Sequence, residues 1–369
     1  DSDKKIDLFF HFEHFPLQFT TINIISSSGK VDPLLLRYLS IIEEIFTLPL
    51  HLPNGDFIPY EKVVSDTSND LIEFSLDNSP YHLQEVISLK VKCESKKYTT
   101  AIDWLLKIMY YSVFSEERVR VILEKLINSI PDKKRDDELM MYSAQYRHLY
   151  DNRSVRNAQD PINTEQFFKD CLESIKNGNF EHISKDLNKL REQLFDLNNL
   201  KVFVTGNCDL KDPVSSWEPV VEVFKGKQYS PDPISALPHT HQYWSKIGKE
   251  CSKYAHLVTT PASDTTHLLA SAKMTTDYNN KAIPAIALAQ EYLTAIEGPF
   301  WRGIRGVGLA YGADVRRNHE TGFVSYLIYR GSDAQEAWLV AKKIVDDYAS
   351  GKTPLDKITM ENAVAATIN

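Results

Sequence analysis

Apolar and polar positions alternate along this chain in two stretches that open alike. Residues 17–25, "LQFTTINII", alternate and are rich in β-branched side chains, which predicts a strand. "SSSGK" is turn-forming. "VDPLLLRYLSIIEEIFTLPL" then places Leu35, Leu36, Leu39, Ile42, Ile45 and Phe46 on one helical stripe, with Asp32 as N-cap and Pro33 at the first helical position. "LIEFSLDN" and "VISLKVKCE" predict two strands of a meander. "TAIDWLLKIMYYSVF" and "EERVRVILEKLINSI" predict helices, the second closed by Pro131. "DDELMMYSAQYRHLY" and residues 163–197 add more helix, and "LKVFVTGNC" is an apolar strand broken by Gly206 and Asn207.

Residues 226–253 lose this periodicity. "GKQYSPDPISALPHTHQYW" holds three prolines and two histidines and reads as a linker. Beyond it the opening pattern returns. "AHLVTTPASDTTHLLASAKMTT" predicts two strands around a turn, and "NKAIPAIALAQEYLTAI" a helix started or bent at Pro284. "GFVSYLIYRG" predicts a strand, "DAQEAWLVAKKIVDDYAS" a helix with Asp333 near its N-terminus, and "TPLDKITMENAVAATIN" a last helix. The chain is therefore expected to be α+β, with two homologous units. Each would have a mixed, mostly antiparallel sheet packed with helices: residues 1–225, a linker at 226–253, and 254–369. The second unit repeats the strand, turn and helix order from about residue 265 but is much shorter. It is expected to be incomplete, and the chain to be a piece of a longer protein or one completed by another chain.

Composition narrows the classes. An apolar share of 43% with 25% charged residues fits a soluble globular chain. A net charge of −8 argues against a nucleic-acid backbone as partner. No apolar run reaches the roughly 18 residues of a membrane span, so no membrane partner is expected. The opening "DSDKKIDLFFHF" has neither a signal-peptide nor a transit-peptide pattern. Cys93, Cys171, Cys208 and Cys251 form no C-x-x-C pair, which counts against a zinc ribbon and fits a reducing compartment. Acidic charge and free thiols point to the cytoplasm, with the mitochondrial matrix as the alternative.

Several short segments carry metal-ligand letters. In "HFEHFP", His11 and His14 are three apart, whereas a zinc helix needs two histidines four apart. The pattern around them is extended, so His11 and Glu13 face one way and His14 the other. A strand entering the sheet is the plainer reading. "HLQEV" holds His82 and Glu85 but lacks the second histidine of H-x-x-E-H. "HTH" sets His239 and His241 on one face, and His256 could join them as a third ligand. No G-x-S-x-G, P-loop or H-E-x-x-H sequence occurs.

The strongest local signal is "GPFWRGIRGVGLAYGADVRRNHETGFVSYLIYR". Gly298, Gly303, Gly306, Gly308 and Gly312 crowd here, five of the chain's 14 glycines, and they allow close backbone approach. Arg305 offers a rigid guanidinium fork and Tyr311 a hydroxyl, with Trp301 and Arg302 beside them. Such a set could hold an oxyanion or a peptide backbone. A glycine-rich turn with surface arginines is the bland alternative.

This segment, R-x-x-x-x-x-Y followed by a strand ending "YRGSD", resembles the C-terminal half of the insulysin/pitrilysin-type zinc metallopeptidases (inverzincins). The likeness is nearest to presequence protease and its cytosolic fungal relatives. "FEHFPLQFTTINIISSSGKVDPLLLRYLSIIEEIFTLPL" is similar to the start of that group's third domain, and "LKVFVTGN" to its closing strand. The resemblance implies four homologous α/β domains in two halves that close into a chamber for unfolded peptides. Zinc is bound by H-x-x-E-H and a distant glutamate in the N-terminal half, which would be this chain's partner. The C-terminal half supplies an arginine and a tyrosine that reach the substrate. Arg305 and Tyr311 match that pair, with Trp301, Arg302 and Gly308 as supporting residues. H-x-x-E-H itself is missing. Ser40, Glu43 and Glu44 stand where His, Glu and His would be, so the first unit is expected to be a non-catalytic copy that binds no zinc. The chain alone is then expected to be inactive. A non-catalytic scaffold or partner-binding protein built on the same repeat is the alternative.

Overall fold

The computed structural model describes residues 7–78, 83–207, 213–261 and 263–368. Cys208 and His82 lie outside these described residues. In chain order come β1 (Phe9–His14), β2 (Phe19–Ser27), α1 (Leu39–Ile42), β3 (Leu50–His51), β4 (Phe57–Ile58), α2 (Tyr60–Asp70), β5 (Glu73–Asn78) and β6 (Val86–Glu94). Helices α3 (Tyr98–Tyr111), α4 (Glu116–Lys133), α5 (Asp137–Leu149), α6 (Val155–Gln159), α7 (Glu165–Lys176) and α8 (Phe180–Leu194) follow, then β7 (Lys201–Gly206), α9 (Glu218–Glu222) and α10 (Lys246–Lys249). The remainder is β8 (Thr266–Lys273), α11 (Ile283–Thr294), β9 (Ala310–Asn318), β10 (Phe323–Gly331), α12 (Ala334–Ala349) and α13 (Lys357–Ile368). No described helix is long and apolar enough to cross a membrane.

Two compact units emerge: residues 1–130 with 152–239, and residues 131–151 with 240–369. The first is built on a sheet of order β1-β7-β2-β6-β5, antiparallel except for the β1–β7 pair. Strand period explains its core. Ile22 and Ile24 of β2, Leu89 and Val91 of β6, and Val202 and Val204 of β7 point to one face and are 1% exposed or less. Burying each such side chain contributes roughly 1.5–3 kcal/mol. Helix faces complete the core through Ile108 and Met109 of α3 and Leu187 and Leu190 of α8.

Asp32 caps as its sequence position suggests, accepting from Leu34 N at 3.0 Å. The stripe behind it is not one long helix. It is a 3₁₀ segment (Pro33–Tyr38), the single turn α1, and a second 3₁₀ turn (Ile45–Thr47). Leu35, Leu36, Leu39, Ile41, Ile42, Ile45 and Phe46 are all buried. These positions lie on more than one side of the chain, so enclosure rather than a single helical face sets the backbone. Pro131 does not stop α4 but sits inside its last turn, where its missing N–H removes one i→i−4 hydrogen bond.

The second unit has a three-stranded antiparallel sheet of order β8-β10-β9. Its core joins Tyr326 and Ile328 of β10 to Ala337 and Ala341 of α12, with Phe300 and Ile304. Helix α5 groups with this unit rather than with the residues that flank it in sequence. Gln145 Nε2 donates to Ser271 Oγ of β8 at 3.1 Å, and Arg316 of β9 donates to the Tyr142 hydroxyl. Residues 255–259, expected to be a strand, form none, and Leu257 is 90% exposed. The linker is a string of short helical turns. Its Thr240 amide and hydroxyl both donate to the buried Glu320 carboxylate at 2.7 Å, and Trp244 Nε1 donates to Thr321 O at 2.8 Å. These bonds fix the linker to the β9–β10 turn.

Candidate functional site

The glycine-rich segment is a shaped loop between α11 and β9. Residues Trp301–Arg305 form one π-helical turn, with Gly306 N donating to Trp301 O at 2.7 Å. Such turns recur at functional positions. Gly303 lets the turn press on α12, because a Cβ there would stand 2.7 Å from Ile344 Cδ1. Gly308 takes a left-handed φ of +80°, which a residue with a side chain rarely adopts. The next two carbonyls are pinned from the "YRGSD" end of β10. The Ser332 hydroxyl donates to Gly308 O at 3.0 Å and Leu309 O at 3.1 Å, and Ser332 N donates to Leu309 O at 2.9 Å.

This loop brings Arg305 and Tyr311 together. The Arg305 guanidinium carbon lies 4.5 Å from the centre of the Tyr311 ring. Both side chains are exposed, Tyr311 by 60%. A cation on an aromatic face at an exposed position contributes about 0.5–1 kcal/mol, enough to bias where the fork points. Trp301 stays 38% exposed beside them. Arg302 turns elsewhere: it lies against the Tyr348 hydroxyl and near Asp356. The Asp356 carboxyl is held below the usual range chiefly by hydrogen bonds from Thr359, with Arg302 adding to them.

Three residues behind the pair were not expected from the sequence. The Tyr329 ring meets Tyr311 edge-on at 6.2 Å, and His267 meets Tyr329 edge-on at 5.1 Å. Arg330 is a non-glycine residue at φ +48°, in the β-bulge where the β8–β10 register shifts between Ile328 and Gly331. Its guanidinium lies 5.2 Å from the Tyr329 ring. A bulge re-aims side chains and often marks a site. His267 Nε2 is 3.0 Å from Asp137 Oδ2, without the alignment a hydrogen bond needs. Burial is the largest influence on Asp137 and pushes its carboxyl upward. Hydrogen bonds from Ser263 and Thr265 and the nearness of His267 outweigh it and leave the group below its ordinary value. Chemically, the exposed part of this cluster offers hydrogen-bond donors and a positive charge. Among the described residues, the ring contacts of the pair are with each other and with Tyr329.

The other candidate segments have structural roles. His11 and Glu13 project from β1 to the same side, with His11 Nε2 3.1 Å from Glu13 Oε1, as a strand requires. Ser40 is buried and donates to Gln159 O at 3.5 Å, Glu43 accepts from Gln159, and Glu44 pairs with Lys125 at 2.5 Å. Glu85 is fully buried and accepts from the Ser154 hydroxyl at 2.6 Å and Val155 N at 2.8 Å, which anchors the start of α6. His241 Nδ1 lies 3.1 Å from Glu320 O, and His256 stacks on His148 at 3.5 Å. Cys93 and Cys171 are buried in the core of the first unit. Among the described residues no group of three or more His, Cys, Asp or Glu could hold a metal ion, so those residues offer no set that fits the zinc the resemblance implies.

No family model matches the chain. An uncharacterized protein of Saccharomyces cerevisiae is 32% identical over 98% of the chain, and one of Schizosaccharomyces pombe is 23% identical over 96%. The chain spans about a third of the length of these curated relatives, 36% and 35%. Among solved structures, a protease from Helicobacter pylori aligns over 97% of this chain and 81% of its own, with a TM-score of 0.66 and 11% identity. A peptidase M16 inactive domain from Pseudomonas fluorescens aligns over 95% and 79%, with a TM-score of 0.62 and 12% identity. The chain has the fold of peptidase M16 domains. At these identities the likeness is one of fold, and it extends over both units.

Proposed function

We propose that the chain is the C-terminal, non-zinc-binding half of a zinc metalloendopeptidase that degrades unfolded peptides in a closed chamber. Arg305 binds a backbone carbonyl of the substrate, and Tyr311 donates to the oxygen of the tetrahedral intermediate. The observation that carries this reading is the exposed Arg305–Tyr311 contact, set on a pinned loop of a peptidase-type fold. The N-terminal half would hold the metal and the general base, which polarise and deprotonate water. What this chain contributes is a fixed fork for a peptide carbonyl and a hydroxyl whose hydrogen bond strengthens as negative charge develops. Donors of that kind contribute about 10²–10³-fold to turnover. Its partners are then the N-terminal half of the same protein and an unfolded peptide, and the proposed compartment is the cytoplasm.

Mixing this chain with a zinc-bearing N-terminal half and following a fluorogenic peptide tests the reading. Hydrolysis is expected only when both halves are present. A mixture that binds zinc, associates and cleaves nothing would favour the non-catalytic scaffold instead.

A further inference from the structure

Arg330 occupies a backbone position that suits glycine. Its φ is +48°, in the left-handed region that a side chain disfavours. The β8–β10 register shifts around it, between Ile328 and Gly331. On the other side of β10, Tyr329 stands opposite Gly312 and Gly331 opposite Ala310, so Arg330 stands across from Tyr311. Both side chains are exposed. A bulge with glycine at this position would carry no strain. The strained residue is instead one whose side chain comes up beside the Arg305–Tyr311 pair.

The four side chains form a row. The Arg305 guanidinium lies over the Tyr311 ring at 4.5 Å, Tyr311 meets Tyr329 edge-on at 6.2 Å, and the Arg330 guanidinium lies over Tyr329 at 5.2 Å. The last two spacings keep the Arg330 guanidinium within about 11 Å of the Tyr311 ring centre, about three residues of extended peptide. Among the described residues neither guanidinium pairs with a carboxylate, whereas Arg316 in the same sheet pairs with Asp314 at 3.0 Å. The Asp137 carboxylate behind Tyr329 is taken up by the Ser263 and Thr265 hydroxyls. Stacking on a ring steadies a guanidinium and leaves its in-plane N–H donors turned outward, in the fork from which a carboxylate accepts two hydrogen bonds.

We propose that Arg330 sets the substrate preference of this site by binding a carboxylate of the peptide, from an Asp or Glu side chain or from a free C-terminus. The carboxylate lies within about four residues of the carbonyl that Arg305 holds, the reach that the row of side chains allows. The inference rests on the peptide-binding reading of Arg305 and Tyr311 and adds a substrate class to it: peptides acidic close to the bound carbonyl. The chain as a whole has a net charge of −8, so the attraction is local to this pair of guanidiniums rather than a property of the whole surface.

Fluorescence anisotropy on the full-length polypeptide, with EDTA present so that binding is read without cleavage, tests this. The probes are short unfolded peptides of Ala, Ser and Gln with an uncharged fluorophore. One is neutral and amidated, one has a single Gln replaced by Glu, and one is neutral with a free C-terminal carboxylate. A carboxylate-bearing probe is expected to bind at least about tenfold tighter than the neutral one, and which of the two does so identifies the source. Arg330→Gln should bring every probe to the affinity of the neutral one and leave that affinity unchanged. Arg330→Glu should make a Lys-bearing probe the tightest, a gain that a misfolded variant cannot show. Equal affinity of the wild type for all three probes, or a preference that survives Arg330→Gln, would overturn the proposal and leave the Arg305–Tyr311 reading in place. A wild type that binds none of the probes would overturn both.

Discussion

The Arg305 guanidinium rests on the Tyr311 ring, its central carbon 4.5 Å from the ring centre, and both groups face solvent. The arrangement demands a planar fork as well as a charge. Arg305→Lys keeps the charge and loses the bidentate geometry, so peptide turnover by the assembled protein should fall about tenfold while the melting temperature stays within a few degrees of wild type. Turnover close to wild type would show that charge alone suffices and that the fork binds no carbonyl.

Ser332 holds the loop that leads to Tyr311 through hydrogen bonds to Gly308 O and Leu309 O. Ser332→Ala removes the hydroxyl donor and should cost about 1 kcal/mol of stability. It should also raise peptide KM and lower kcat together, because the loop no longer presents Arg305 and Tyr311 at a fixed place. Denaturant unfolding and steady-state kinetics on the same variant check both effects, and Ser332→Thr should restore them.

Glu85 is a buried carboxylate serving Ser154 and the first amide of α6. Glu85→Ala leaves those donors without this acceptor inside the first unit, at a cost of about 1–3 kcal/mol for each donor left unpaired. A shift of the urea midpoint of several tenths molar or more is the expected outcome. No shift would mean that water replaces the carboxylate.

His148 and His256 stack with ring centres 3.5 Å apart. Burial first, then the charges of His256 and Arg147, hold the His148 pKa below its ordinary value. The folded state therefore takes up a proton less readily than the unfolded chain. The stabilising contribution is present above the ordinary histidine pKa of about 6.5 and is lost as pH falls below it. An NMR titration should give a His148 midpoint below about 6.5, and the second unit should melt earlier at pH 5.5 than at pH 7.5. A midpoint above the ordinary value would contradict the stacking account.

Much of the fold was legible in the sequence because it rests on local period. The alternation of "FTTINIISS" and "FVSYLIYRG" made strands, and Asp32 with Pro33 marked a helical start. Where neighbours decide, the sequence was silent. "AHLVT" has a strand's composition but no strand partner among the described residues, and residues 33–47 are shaped by enclosure on several sides. The site was half legible. Arg305 and Tyr311 stand six positions apart, one in the loop and the other at the start of β9. Tyr329, His267 and Asp137 come from three other elements, and the β9–β10 and β8–β10 pairings with α5 beside β8 bring them near.

The most direct measurement is kcat for a fluorogenic peptide, with zinc content measured in parallel, on the full-length polypeptide and its Tyr311→Phe variant. The lost hydroxyl leaves the ring and its Arg305 contact in place. The account predicts a fall in kcat of about 10²-fold with zinc content, fold and KM near wild type. An unchanged kcat would contradict the role given to Tyr311, and hydrolysis by this chain alone would contradict the account as a whole.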